Sequence, residues 1–104
     1  MTGPVKLLLI FVDETDLWED QPLYSAIVQR LHQLGAAGAT VHMGAMGFGS
    51  HQRVHHKRLF GISDDRPVTI VVADEERKLR ALLAHIRPMV PEGLLLLVDA
   101  EVPD

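Results

Sequence analysis

Three stretches of this chain are apolar at every residue: Leu7 to Val12, Ile70 to Val72 and Leu94 to Val98. Each is short, and Gly3-Pro4, Pro67 and Gly93 stand ahead of them. Such length and such flanks belong to buried strands rather than helices. Successive side chains of a strand point to opposite faces of its sheet, so these strands are apolar on both. A sheet built from them needs cover on both faces.

The segments between the strands cover one face only. After the first strand, Val5 to Val12, an acidic turn leads to a helix with Pro22 in its first turn. Leu23, Ile27, Leu31 and Leu34 recur on one stripe of that helix, widened by Tyr24 and Val28. Gly35 or Gly38 is its expected C-cap. Ala39 to about Met46 is the second strand, and Pro67 to Ala73 the third. Asp74 is placed to N-cap a second helix, with Arg77 at N3. That helix carries Leu79, Leu82, Leu83 and Ile86 on one face and should stop before Pro88. Leu94 to Val98 is the fourth strand, fading into Asp99 to Val102. The order is βαββαβ. Right-handed crossovers then put both helices on one face of a four-stranded antiparallel sheet, the α+β ferredoxin-like arrangement. A second subunit is the economical cover for the other face, so the chain is expected to form a homo-oligomer.

Composition narrows the function. The 104 residues are expected to form a single domain, 1–104, with a long mobile loop at about 47–66. Net charge is −4, which gives no electrostatic footprint for nucleic acid. No cysteine is present, so thiolate ligands and nucleophiles are excluded. The longest apolar run is too short to span a bilayer, no signal-peptide pattern is evident, and a cytoplasmic protein is expected.

The second strand leads into Gly44-Ala45-Met46-Gly47-Phe48-Gly49. Glycine there permits either a positive φ or a close backbone approach. A polar loop follows to about Arg66, with His51, His55 and His56 and the cations Arg53, Lys57 and Arg58. Loops presented from a rigid scaffold are where binding function concentrates. Gly44, Gly47, Phe48, Gly49, His51 and His55 are the candidate ligand-binding residues. Arg53, Lys57 and Arg58, with Arg66, are candidates for contacting phosphate or an acidic partner. The alternatives are a strand-end bulge for the glycines, and plain solvation of the loop for the cations. His51, His55 and His56 could instead hold a borderline divalent ion. Asp13, Glu14, Asp16, Glu19 and Asp20 form an acidic cluster read partly as N-terminal helix charge. No nucleophile accompanies it, so catalysis is not expected. Trp18 is expected to pack over the helix start or against a neighbouring subunit. His32 and His85 are expected on the surface.

Several strings together carry a resemblance. They are Gln21 to Val28, Gly38 to Val41, Gly44 with Gly47-Phe48-Gly49, His55, Ser63-Asp64-Asp65-Arg66-Pro67-Val68, and Met89-Val90 with Gly93-Leu94. In this order they resemble the PII-like "domain of unknown function 190" family across nearly the whole chain. That family is similar to the PII nitrogen-regulatory proteins. The resemblance implies a trimer of ferredoxin-like domains, adenine nucleotide bound in the clefts between subunits, and a long loop that engages a partner protein such as a membrane transporter. Gly47, Phe48 and Gly49 match the Gly-Phe-Gly that opens the PII loop beside the nucleotide. His51 stands where PII proteins have a magnesium- and effector-holding glutamine. Arg87 to Gly93 stands where they have a glycine-rich, lysine-bearing phosphate loop, yet it has one glycine and no lysine. The expected function is a PII-like signalling protein, not an enzyme. A ligand-free interaction module, or a metal sensor using the loop histidines, is the alternative.

Overall fold

A computed structural model of the chain describes residues 3–48, 58–59, 62–63, 66–91 and 93–104. Its first strand, β1 (Gly3–Asp13), shows how the both-sided apolar run is used. Leu8, Ile10 and Val12 are buried, while Leu7, Leu9 and Phe11 on the other face are only half-buried. Helix α1 (Leu23–Gln33) follows, then β2 (Thr40–Met43), β3 (Pro67–Asp74), α2 (Glu76–Ile86) and β4 (Leu94–Val102). The sheet order is β2-β3-β1-β4, and every neighbouring pair is antiparallel. This is the ferredoxin-like α+β fold expected from the element order.

One layer of the core comes from the helices and the other from alternate strand residues. Leu23, Ala26, Ile27 and Leu31 of α1, with Leu79, Leu82 and Ile86 of α2, pack on Leu8, Ile10, Val68, Ile70 and Val72. Leu83 is only partly buried against this cluster. The register puts Leu9 between Val71 and Leu96, and Phe11 between Thr69 and Leu94. Leu7, Leu9, Phe11, Val71, Leu94, Leu96 and Val98 form an apolar patch on the face without helices. Leu94 is 54% exposed there, and Leu96 and Val98 are each 40% exposed.

Element ends differ from the expectations for local reasons. α1 ends in a Schellman motif, with Gly35 at φ 83°. Gly35 N–H donates to His32 O (3.1 Å) and Ala36 N–H to Leu31 O (3.0 Å), satisfying two terminal carbonyls. Gly35, not Gly38, is therefore the stop. Pro22 is the N-cap of α1 rather than a first-turn residue, and no side chain caps it. β2 stops at Met43 instead of Met46, because the chain beyond Gly44 leaves the β3 ladder. β4 does not fade at Val98. It runs to Val102, held by pairing with β1 as far as Gly3↔Val102. Lys6 donates to Asp99 across that pair, a contact that holds the Asp99 carboxyl below its usual range.

Asp74 is not the N-cap of α2; Glu75 is, without a side-chain cap bond. Asp74 closes β3, is buried, and bridges elements instead. Its Oδ1 accepts Glu75 N–H (2.8 Å) and its Oδ2 accepts Ala37 N–H (3.1 Å) in the α1–β2 connection. Lys78 Nζ lies 3.5 Å from Oδ2. These bonds are part-buried, and a hydrogen bond to a charged group contributes about 1.5–3 kcal/mol. Asp74→Ala is therefore expected to lower stability by about 2 kcal/mol in urea unfolding, and Asp74→Asn, which keeps one acceptor, by less. Equal losses in the two variants would show that the carboxylate does not tie the connection to α2.

Candidate site at the loop base

The end of the sheet where β1 finishes and β3 begins also receives the end of β2. After the last β2 pair, Met43↔Val68, Gly44 N–H donates to Pro67 O at 2.7 Å. On the other side of β3, Glu14 N–H donates to Arg66 O (2.9 Å), and Arg66 N–H donates to Glu14 Oε1 (3.1 Å). Both ends of the intervening loop, Gly44 and Arg66, are thus fixed to the sheet.

The glycines serve close approach rather than left-handed backbone. Neither Gly44 nor Gly47 has a positive φ; among the described glycines only Gly3 and Gly35 do. A Cβ on Gly44 would lie 2.6 Å from Pro67 Cγ and 3.3 Å from Pro67 O, and one on Gly47 would lie 3.2 Å from the same Cγ. Gly44 lies against the Pro67 ring with no room for a side chain, and Gly47 lies tightly against the same ring. Replacing Gly44 with Ala is expected to cost about 1–3 kcal/mol from overpacking, read in thermal unfolding. An unchanged melting temperature would rule out the tight contact. Beyond the contact, Met46 and Phe48 stand in solvent, 61% and 87% exposed.

The acidic cluster is mostly engaged in shaping its own turn. Asp16 Oδ2 accepts Asp13 N–H (2.9 Å). Asp13 Oδ1 accepts Thr15 N–H (2.9 Å) and Thr15 Oγ1–H (2.8 Å). Asp16 O accepts Leu23 N–H (2.8 Å), so it is a backbone carbonyl that meets the start of α1. No acidic residue lies in the first turn of α1, which corrects the reading of this cluster as helix-dipole charge. Trp18 sits in a two-residue ribbon, Leu17–Trp18 against Gln21–Pro22, and is partly buried against the core. His32 and His85 are exposed.

Of the sequence candidates, Gly44, Gly47 and Phe48 are brought together at this base. Arg58 belongs to a short strand, Arg58–Leu59, paired with Ile62–Ser63. Gly49, His51, Arg53, His55, His56 and Lys57 lie outside the described residues. Among the described residues no group of three or more His, Asp or Glu is arranged to hold a metal. Sequence reasoning missed Pro67 as the anchor and Glu14 as the clamp on Arg66. A proline opening a strand opposite a glycine pair is the signal that could have found the first.

The comparisons with known proteins bear on this geometry. The family model described as DUF190, "Uncharacterized ACR, COG1993", matches residues 5–102. The chain belongs to the DUF190 family. Among its relatives, a UPF0166 protein of Aquifex aeolicus is 34% identical over 97 residues, 93% of this chain and 91% of that one. The UPF0166 protein MJ1524 of Methanocaldococcus jannaschii is 31% identical over 98 residues, 93% and 90% of the two chains. Among solved structures, CPII from Thiomonas intermedia K12 bound to ADP, AMP and acetate superposes with a TM-score of 0.71 at 22% identity. That match covers 100% of this chain and 93% of CPII. A putative PII-like signaling protein from Thermus thermophilus gives 0.58 at 20% identity, covering 96% and 88%. At such identities the likeness is one of fold, and it makes this DUF190 chain PII-like in architecture. Among the described residues no helix is long and apolar enough to cross a membrane.

Proposed function

We propose that this chain is a PII-like regulator, not an enzyme, which binds an adenine nucleotide beside Gly44, Gly47 and Phe48 and signals through the loop that follows. The observation that carries the reading is the anchored loop base. Both loop ends are hydrogen-bonded to the sheet, and exposed Phe48 stands just beyond the Gly44–Pro67 contact. In CPII, which shares the fold, ADP and AMP are bound. An effector at this base would alter which loop arrangement is favoured, provided its affinity differs between the arrangements. The loop then engages or releases a partner protein, and its cations, Arg53, Lys57 and Arg58, suit an acidic partner surface.

The functional unit is a homo-oligomer, by the family resemblance a trimer, in which the apolar faces of the sheets cover one another. Leu9, Leu96 and Val98 support this, since such a contiguous patch on a single chain marks an interaction surface. Clefts between subunits at the edge of that face would complete the nucleotide site. His51 in place of the PII glutamine argues against the usual magnesium and oxo-acid pairing.

Thermal shift with ADP, AMP and divalent metals tests the reading. A ligand held only by the native state at about 100 times its Kd stabilises by about 2.7 kcal/mol, a rise of roughly 11–18 °C for a domain of this size. The rise is expected with an adenine nucleotide and is expected to shrink in Phe48→Ala. Because Phe48 is exposed, that change spares the fold. A shift with metal alone, removed by His51→Ala, would replace this reading with a metal sensor. No shift with any of them would leave an interaction module.

A further inference from the structure

A cavity of about 380 Å³ opens on the helix layer, away from the apolar sheet face. Trp18, Gln21, Gln29, Arg30, Gln33 and His85 are the polar and aromatic groups that line it. Its size is that of small-molecule sites. Gly44, Gly47 and Phe48 take no part in it, so it is separate from the loop base.

The lining has a definite chemical bias. In a chain of net charge −4, this cavity presents a guanidinium, an imidazole and three carboxamides, and no carboxylate. Among the described residues Arg30 makes no ion pair, so its fork of donors is available to a carboxylate or phosphate. The amides beside it are partly pre-set. Gln29 Nε2 donates to Gln21 Oε1 (3.4 Å) and to Ser25 Oγ (3.2 Å). Trp18 adds a flat ring of the kind that stacks on planar ligands. Arg30 and His85 also lie in the last turns of their helices, where cations offset the terminal carbonyls. That role alone would give no response to a ligand.

We infer that this cavity binds a small planar molecule carrying one carboxylate or phosphate, with its ring on Trp18 and its anion on Arg30. Trp18 is the single tryptophan of the chain, so its fluorescence reports on the cavity directly. The full-length protein is titrated with benzoate, with phenyl phosphate and with benzamide as the neutral counterpart. Saturable quenching by at least one of the two anions is expected, with benzamide at least tenfold weaker. Whichever of benzoate and phenyl phosphate binds tighter identifies the anion. Arg30→Gln, on an exposed helix position that tolerates glutamine, is expected to weaken anion binding at least fivefold with the melting temperature nearly unchanged. Quenching that never saturates, equal binding of benzamide, or an Arg30→Gln protein that binds as well as the parent would each overturn the inference. An ADP response at the loop base would not be affected by any of these results.

Discussion

With Leu96 replaced by aspartate, light scattering is expected to report single chains of 11.5 kDa at concentrations where the parent protein is expected to form the proposed oligomer. Leu96 pairs with Leu9 across β1 and β4, at the centre of the patch that also holds Leu7, Phe11, Leu94 and Val98. In the single chain Leu96 is 40% exposed, so an aspartate there keeps much of its hydration. If sheet packs on sheet, the same carboxylate is enclosed by apolar side chains, and the cost of burying an unpaired ion is several kcal/mol per copy. Aspartate is also a poor strand residue, a penalty within the roughly 1 kcal/mol span of β-propensity. Leu96→Thr avoids the charge and introduces a β-branched residue that suits a strand. It should weaken assembly without dissolving it. A parent protein that scatters as a monomer at every concentration, or an assembly that survives Leu96→Asp, would remove the oligomer from the proposed function.

Gly93→Ala is expected to be among the most destabilising small changes in the chain. A Cβ at Gly93 would lie 2.1 Å from Val90 Cγ1 and 3.0 Å from Phe11 O. Val90 is almost fully buried, and its β-branched side chain is stiff at χ1, with no flexible end to swing aside. The carbonyl belongs to β1 and is held in the sheet. Neither neighbour can yield cheaply, so the overpacking cost falls at the upper end of the usual range, about 3 kcal/mol. For a domain of this size that is a fall of roughly 12–20 °C in melting temperature. Calorimetry showing a fall of only a degree or two would mean that the turn before β4 is loose. The result also bears on the place where PII proteins carry their phosphate loop. Here Gly93 N–H donates to Val90 O (3.3 Å), and the absent Cβ makes room for Val90 and Phe11. The glycine is accounted for by packing, without a phosphate.

The Leu96 effect follows from a pattern within one strand, the Gly93 effect from packing between distant ones. Apolar residues on both faces of the strand runs were visible in the sequence, because side-chain direction alternates along any strand. From that alternation came the helix-covered face, the uncovered face and the expectation of a partner subunit. The helix stripes were equally plain, and Leu79, Leu82 and Ile86 are buried as their spacing required. Gly35 was one of two candidates for the end of α1, and only the hydrogen bonds of Gly35 and Ala36 separated it from Gly38.

The candidate site was legible in outline only. Its glycines stood out, but the reason for them did not: a positive φ and a close approach demand the same residue. Pro67, far beyond Gly44 in the chain, decides between them through a contact that no local pattern contains. Asp74 misled for a similar reason. An aspartate before a helix reads as its N-cap, yet the carboxylate serves Ala37 from the far side of the fold as well as Glu75 beside it.

The sequence by itself determined the element order, the ferredoxin-like topology that follows from it, the both-sided apolar sheet and the family resemblance. These depend on periodicity, chain direction and crossover handedness, which act over a few residues or apply to every chain of that order. The tertiary structure alone decided which contact each glycine protects, which backbone groups Asp13, Asp16 and Asp74 satisfy, and which end of the sheet holds the loop. Those outcomes rest on distances between residues far apart in sequence, and such distances exist only once the chain has packed.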